Sequence, residues 1–177
     1  MRFKSWTYNS RDSVPAMPGI YILYLNGEIK KISEIDKKGI LYIGESSNLR
    51  SRLKIVVRPQ WKKWYDKNKH EMFNHLLLTF AVDFDDDFNL IISSGLTGKG
   101  LLKEGSRLQL KYSICNGHKN IEKKLLKGHF MTFGQLPPFN VRGARVGSIW
   151  DSSESQWNKL THYYKTITNL LSDKYST

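Results

Sequence analysis

Two phenols and one guanidinium lie at spacings in this 177-residue chain that could bring them onto a single phosphate group. Tyr21 ends the string Gly19-Ile20-Tyr21, Tyr42 begins the string Tyr42-Ile43-Gly44, and Arg52 follows Tyr42 by ten residues. A guanidinium can bind two phosphoryl oxygens at once and stays charged at every relevant pH. Phenol hydroxyls can contact a phosphate or orient a water molecule. The combination is compatible with chemistry at a phosphate, which needs neutralised charge and a positioned water.

The two strings resemble the signature of the GIY-YIG nuclease family, in which an arginine lies ten residues after the second tyrosine. Arg52 occupies that position. The family also has a metal-binding glutamate on a later helix and an asparagine beyond it, and Glu122 and Asn140 look like these two. The resemblance covers roughly residues 18 to 140. Five matches in order are much harder to obtain by chance than one short string.

The resemblance implies hydrolysis of phosphodiester bonds with one divalent cation, Mg²⁺ or Mn²⁺, held by Glu122. It implies that Arg52 grips the phosphate and that Asn140 supports the geometry of the site. Tyr21 would be a general base or a water-orienting group, and Tyr42 a contact to phosphate or water. A free phenol titrates near about 10, so a base role needs the cation and the arginine to favour its ionised form.

Simpler explanations stay open for these residues. A glutamate such as Glu122 in a first helical turn also complements the helix dipole, and strand tyrosines are usually core aromatics. Many family members have a histidine or tyrosine four residues after the arginine, where this chain has Val56; His70 or His75 could substitute. Glu45, where some relatives have lysine, is a second metal ligand or, more simply, a polar strand end.

The elements that must position these side chains follow from apolar patterning and turn signals. We predict strands at 19–25, 39–44 and 107–115, the last with one buried face, and helices at about 48–57, 60–75, 120–133 and 152–171. Ser47 and Asn120 are the expected caps of the first and third helices. Segment 76–84 competes for the third strand, but 107–115 directly precedes the Glu122 helix, as the family order implies.

The predicted fold is therefore α/β, of the α+β kind, with a small three-stranded antiparallel sheet flanked by helices. One domain spans residues 1–177, with a core at about 18–58 and 107–140 and a C-terminal helix at about 152–171. The stretch 60–106 would be an insertion. Family members often use such additions to choose their DNA site, so this segment is the expected specificity element.

The charge balance favours a polyanionic partner, because 28 Lys and Arg against 16 Asp and Glu give a net charge of +12. On charge alone, a basic protein without a nucleic-acid partner is an equally good explanation. The resemblance of the two strings to a nuclease signature favours DNA as the partner. The expected contacts to the nucleic-acid backbone are Arg50, Lys54, Arg58, Lys62, Lys63, Lys99, Arg142 and Arg145.

The remaining composition predicts a cytoplasmic protein without a membrane segment. The longest apolar run, at 76–82, is far shorter than the roughly 20 residues that a membrane span needs. The N-terminus lacks the apolar stretch of a signal peptide. The single cysteine rules out an intrachain disulfide.

These observations together predict a metal-dependent DNA endonuclease, most simply of the sequence-specific restriction type. Such an enzyme would be a homodimer, because cutting both strands of a palindrome needs two-fold symmetry. A phage or repair nicking enzyme stays open, as does an RNA-directed nuclease. The rival from another class is a nucleic-acid-binding module that kept the fold and lost the chemistry, and Val56 is its best support.

Overall fold

The computed structural model describes residues 1–7, 9–25, 27–56, 82–84, 86–87, 89–92, 105–140 and 154–171. These residues form a mixed α+β structure, with a multi-stranded antiparallel sheet and three helices. Within these ranges, no helix combines the length and apolar character that crossing a lipid bilayer requires.

The main sheet is antiparallel throughout and has four strands, not the predicted three. In spatial order they are β1 (Lys4–Trp6), β8 (Leu108–Ile114), β2 (Gly19–Leu25) and β5 (Ile40–Ser46). The extra strand β1 pairs with β8 from Lys4↔Tyr112 to Trp6↔Leu110. Strand β1 has only three residues, too few for an alternating pattern to be recognised in the sequence. Burial of its Trp6, which is 4% exposed, holds the strand against the rest of the sheet.

The third central strand is the segment preferred from the sequence, because β8 pairs with β2 along its whole length. Residues 76–81 of the competing segment lie outside the described residues. Its last part, β6 (Val82–Phe84), pairs with β7 (Leu90–Ile92) in a separate small sheet, and β3 (Ile29–Lys30) pairs with β4 (Ile35–Asp36) in another. Of the predicted insertion, the structure describes residues 82–84, 86–87, 89–92 and 105–106.

Three helices are described: α1 (Leu49–Val56), α2 (His118–Phe133) and α3 (Glu154–Asn169). Two predicted caps were wrong by a small shift along the chain. Asn48, not Ser47, caps α1, because its Oδ1 accepts a hydrogen bond from the Ser51 N–H at 3.0 Å. The helix predicted at 60–75 lies outside the described residues.

Helix α2 begins directly after the Asn116-Gly117 turn, two residues before the expected cap at Asn120. Gly117 has a φ of 69°, in the left-handed region that favours glycine. The helix ends as predicted, with Gly134 at a φ of 71° donating its backbone N–H to the Phe130 carbonyl at 2.7 Å. This early start places His118 in the first turn, one turn before Glu122.

Apolar side chains are buried on both faces of the main sheet. One cluster joins strand residues such as Leu23 and Leu41 to Leu49 and Leu53 of α1. The other joins strand residues of the opposite face to helices α2 and α3; it includes Ile22, Ile43, Leu125, Phe133 and Ile167. The sheet is therefore a central layer with a helix on one side and two on the other.

The prediction that β8 buries only one face was wrong, because Lys111 and Ser113 are each only 1% exposed. The Lys111 ammonium reaches across the second core and donates to the Leu171 carbonyl at 2.7 Å, just beyond the end of α3. The unpaired carbonyls at a helix C-terminus carry partial negative charge, which a buried ammonium satisfies. Lys111, which the alternating pattern predicts to face solvent, thus attaches helix α3 to the sheet.

Asp36 and His129 form a buried polar cluster beside the second core, at 1% and 0% exposure. The Asp36 carboxylate accepts backbone N–H groups from residues 38, 39 and 40 at 3.0, 3.1 and 2.8 Å, which closes the turn before β5. The His129 Nδ1 lies 2.8 Å from the Gln135 carbonyl, and its Nε2 lies 3.8 Å from Asp36. Burial lowers the pKa of His129, and the nearby Lys31 ammonium adds to this, against the opposing effect of Asp36.

His129 is expected to contribute a loss of stability as the pH drops below about 6.5, because the unfolded His129 takes up a proton there while the folded, buried imidazole resists it. One such proton contributes at most about 1.4 kcal/mol for each pH unit. Urea unfolding between pH 7.5 and pH 5.5 measures the effect. His129→Gln should remove this contribution, so that the variant loses less stability on acidification than wild type, whereas His162→Gln, at an exposed position of α3, should behave like wild type. Equal slopes for wild type and His129→Gln would contradict this assignment.

Candidate active site

The two tyrosines of the strings lie side by side on one face of the sheet. Their ring centroids are 5.7 Å apart, with the planes tilted by 33°. Both rings contact Gly44: a Cβ added there would lie 2.5 Å from Tyr21 Cζ and 2.5 Å from Tyr42 Cε1. Tyr21 and Gly44 are also direct partners in the β2–β5 register. The glycine that ends the second string therefore makes room for both phenols.

The Tyr21 hydroxyl is buried, and its hydrogen-bonding neighbour is the Tyr42 hydroxyl, at a geometry short of a standard hydrogen bond. Burial raises the pKa of Tyr21 well above 10, and the neighbouring Tyr42 adds to this; Arg52 opposes it. Burial also raises the pKa of Tyr42. Both phenols are therefore neutral at pH 7, and a buried hydroxyl whose hydrogen bonding is incomplete costs up to about 1 to 3 kcal/mol. Such a group is satisfied most simply by a water or ligand in the site.

Arg52 faces this pair from α1. Leu49 and Leu53, each 0% exposed, hold the helix against the sheet. The Arg52 guanidinium lies close enough to lower the pKa of Tyr21, of Tyr42 and of Glu122. The ten-residue offset from Tyr42 thus places one full positive charge beside both phenols.

Glu122 reaches the same place from the first turns of α2 and is half-buried. Its pKa is raised from 4.5 to about 7, mainly by burial and then by the negative charge of Glu45, against the opposing effect of Arg52. Glu122 also contributes to raising the pKa of both tyrosines. The structure therefore brings together four of the five predicted catalytic side chains: Tyr21, Tyr42, Arg52 and Glu122.

Asn140 has a different place, on the open edge of strand β5. Its Oδ1 accepts the Ile43 N–H at 2.9 Å, and its Nδ2 donates to the Ile43 carbonyl at 2.8 Å. The neighbouring Phe139 N–H donates to the Leu41 carbonyl at 2.9 Å. The amide thus acts as one rung of a β-ladder beside Tyr42. The Asn140 side chain therefore holds strand β5, and both its carbonyl oxygen and its amide nitrogen are used in doing so.

Asn140→Asp is expected to destabilise the protein by about 2 to 4 kcal/mol, because a buried carboxylate oxygen would face the Ile43 carbonyl in place of a donor. Chemical unfolding of the variant measures the loss. The same change at exposed Asn116, in the turn before α2, is the control and should cost less than about 0.5 kcal/mol. Similar losses at both positions would contradict the ladder role.

Most of the predicted DNA contacts lie outside the described residues. Arg50 is described and exposed, and its Nε donates to the Val14 carbonyl at 2.7 Å, which leaves other guanidinium N–H groups for a phosphate. The backbones of Lys54 and Val56 belong to α1, but their side chains lie outside the description. The predicted residues that lie wholly outside it are Arg58, Lys62, Lys63, His70, His75, Lys99, Arg142 and Arg145.

His118 is a residue of this site that the sequence did not reveal. Its Nε2 lies 3.2 Å from Glu45 Oε2, and neither ring nitrogen makes a hydrogen bond of standard geometry with the described residues. The signal that could have found it is the spacing of four from Glu122, which places two helical side chains on one face. It was hidden because the helix was expected to begin later.

A divalent cation is compatible with these donors. No group of three acidic, histidine or cysteine side chains is assembled within the described part of the chain. Mg²⁺ does not need such a group, because it commonly keeps several waters and binds one or two carboxylates plus a substrate phosphate. Glu122, raised in pKa by burial and a second carboxylate, is a hard oxygen ligand that a cation would stabilise in its ionised form.

Comparisons of the chain with models of known protein families, with curated proteins and with solved structures find no match. Function is therefore inferred from the arrangement of these side chains.

Proposed function

We propose that this protein is a divalent-metal-dependent DNA endonuclease that resembles the GIY-YIG nucleases in its fold and site. The observation that carries the proposal is the convergence of one guanidinium, one half-buried carboxylate and two neutral phenols at the edge of the sheet. Glu122 is half-buried, and its negative charge costs free energy there unless a ligand such as a cation completes the site.

Arg52 is assigned to the scissile phosphate. Its planar guanidinium can bind two phosphoryl oxygens and neutralise the charge that grows on them during attack. The helix that carries it is anchored by two fully buried leucines, Leu49 and Leu53, so the charge is held in place before the substrate arrives. Removing the guanidinium should therefore reduce the stabilisation of the transition state more than it reduces the affinity for DNA.

Tyr21 and Tyr42 are assigned to water and phosphate contacts as neutral phenols. Because burial opposes ionisation of Tyr21, its hydroxyl acts as a hydrogen-bond partner for the attacking water. Ionisation of Tyr21, and with it a role as general base, would need the positive charges of Arg52 and the cation to outweigh that burial. Tyr42, at 8% exposure, lies beside it and can contact a phosphate oxygen.

Glu122 is assigned as the cation ligand, and Mg²⁺ or Mn²⁺ is the expected ion. When bound, the ion would supply charge stabilisation at the phosphate and assist the departing oxygen. The net charge of +12 supports a polyanionic substrate. A restriction-type enzyme that cuts both strands would act as a homodimer, with specificity contributed by residues 60–106.

Incubating supercoiled plasmid with the purified protein tests the proposal. We expect nicked and linear DNA with Mg²⁺ or Mn²⁺ and none with a chelator. A matched RNA duplex as competitor separates a DNA enzyme from an RNA-directed one. Retarded migration of DNA with no cutting, in either ion and at every protein concentration, would instead identify a nucleic-acid-binding module and overturn the proposal.

A further inference from the structure

The sheet register places two further polar side chains in line with Tyr21, on the face that carries the candidate active site. Tyr21 of β2 is paired with Tyr112 of β8, and Tyr112 is paired in turn with Lys4 of β1. On its other side Tyr21 is paired with Gly44 of β5. Residues paired directly across antiparallel strands lie on the same face of the sheet, about 4.5 to 5.5 Å apart. One row therefore crosses the whole sheet: Lys4, Tyr112, Tyr21 and Gly44.

The packing of the core agrees with this shared face. Tyr112 belongs to the same buried cluster as Tyr21. Trp6, two residues after Lys4 on β1, belongs to that cluster as well, so the alternation of a strand places Lys4 on the same face. Phe3, the residue before Lys4, lies in the cluster on the opposite face.

The row lies where this face of the sheet passes from the core to solvent. The next row inward, with Trp6 paired to Leu110, is buried. Tyr112 is 5% exposed, Lys4 is exposed, and Ile114, two residues beyond Tyr112 on β8, is 40% exposed. At such a boundary a tyrosine can bury its ring and present its hydroxyl to a ligand.

A DNA strand that runs along this row would meet the two side chains in succession. Neighbouring strands of a sheet are about 4.8 Å apart, so Lys4, two strands from Tyr21, lies roughly 10 Å from it. Successive phosphates of one DNA strand advance by about 3.4 Å along the helix axis. Lys4 is therefore within about three nucleotides of a phosphate at Tyr21. In the other direction, the Asn140 rung occupies the edge of β5.

We propose that Tyr112 and Lys4 bind the phosphates beside the scissile one, so that the DNA strand crosses the sheet from Gly44 toward β1, an inference that rests on the proposed nuclease function. Tyr112 contributes a hydroxyl, which donates a hydrogen bond to a phosphate oxygen. Lys4 contributes a point charge, which neutralises a phosphate and releases its condensed counterions. Such contacts position the strand and read no sequence themselves.

DNA binding by the full chain in a chelator tests the role of Lys4 without depending on cleavage. Fluorescence anisotropy of a labelled duplex at several NaCl concentrations gives the affinity and its salt dependence. Lys4→Met is expected to weaken binding about 5-fold to 10-fold near 0.1 M salt. It should also make the slope of log K against log salt shallower by about 0.9, the value of one phosphate contact.

Two further variants separate a phosphate contact from a general effect of charge. Lys4→Arg keeps the positive charge and should retain the wild-type slope. Lys159→Met is the matched control, because Lys159 is exposed on α3, which packs on the opposite face of the sheet. This control should bind like wild type. A wild-type slope in Lys4→Met, or an equal loss in Lys159→Met, would overturn the assignment of Lys4.

The Tyr112 hydroxyl is tested in the same assay with Tyr112→Phe. Loss of one hydrogen bond should weaken binding about 3-fold to 10-fold, while the salt slope stays at the wild-type value because the phenol carries no charge. Tyr163→Phe, on α3 against the opposite face, is the matched control and should bind like wild type. Urea unfolding checks that each variant is folded. If folded Tyr112→Phe binds as tightly as wild type, Tyr112 is only a core aromatic.

Failure of this inference can be distinguished from failure of the proposed function. If wild type binds DNA while Lys4→Met and Tyr112→Phe bind it equally well, the strand takes another path and only the present inference fails. If wild type binds no DNA, both proposals fall. If both variants weaken binding but wild type cuts no plasmid with Mg²⁺ or Mn²⁺, the nuclease function fails and the row remains a phosphate-binding surface.

Discussion

Replacing Glu122 by glutamine is expected to abolish DNA cleavage and, at pH 8, to make the protein more stable. The loss of cleavage should be at least about 1,000-fold, because removing a cation ligand removes several kcal/mol of transition-state stabilisation. The gain arises because the pKa of Glu122 is raised from 4.5 to about 7 in the folded protein. The ionised carboxylate therefore disfavours folding, and glutamine is its neutral isostere.

The direction of the pH dependence follows from that raised pKa. Near pH 4 both forms of the chain hold the Glu122 proton, so wild type and variant should have similar stability. As the pH rises from about 4.5 to about 7, the unfolded chain releases the proton first, and wild type loses stability relative to the variant. After allowance for solvent screening of this half-buried group, the difference above pH 7 should be about 1 to 2 kcal/mol.

Urea unfolding of both proteins at pH 5 and pH 8, without added metal, measures this difference, and plasmid cleavage with Mg²⁺ measures the activity. Glu28→Gln controls for removing one negative charge from a basic protein and should change neither quantity appreciably. A variant that is both inactive and less stable at pH 8 would mean that Glu122 supports the fold and is not held there for a ligand. Undiminished cleavage would remove Glu122 from the site.

The parts of the fold that depend on local pattern could be predicted from the sequence. Strand 19–25 has the bounds expected from its apolar residues and flanking turns, and α2 ends where Gly134 predicts. The offset of Arg52 from Tyr42 also placed the guanidinium beside both phenols, because a strand, a short turn and a first helical turn leave little freedom between them. Local chemistry and steric rules are sufficient for features of this kind.

The features that were missed depend on contacts between distant segments. Lys111 alternates as a solvent-facing strand residue, yet it is buried because the end of α3 supplies a carbonyl for its ammonium. Strand β1 exists because β8 offers it a free edge. The pairing of Glu45 with His118 needs strand β5 and helix α2 to be neighbours, and no periodicity in either segment records that. In each case the local sequence pattern was compatible with more than one structure, and contacts with distant segments determined which one formed.

Gly44→Ala is expected to reduce cleavage about 100-fold and to destabilise the fold by about 1 to 3 kcal/mol. Gly44 lies within strand β5, paired with Tyr21, so the cost arises from space and not from the backbone. The new methyl would lie 2.5 Å from Tyr21 Cζ and from Tyr42 Cε1, and 2.7 Å from the Tyr21 hydroxyl oxygen. Since both rings are buried against the core, they can move only by displacing the hydroxyls from Arg52 and Glu122.

The matched control is Gly27→Ala, because a Cβ at that position meets no atom within 4 Å. Plasmid cleavage and urea unfolding of the two variants should differ sharply, with Gly27→Ala close to wild type in both. If Gly44→Ala cleaves at the wild-type rate although its stability falls, the phenols are core aromatics whose exact placement does not matter to the chemistry. Cleavage should be measured at a temperature at which Gly44→Ala is folded. If cleavage is still lost there, the loss of stability does not explain it, and the two hydroxyls are placed at the reacting phosphate.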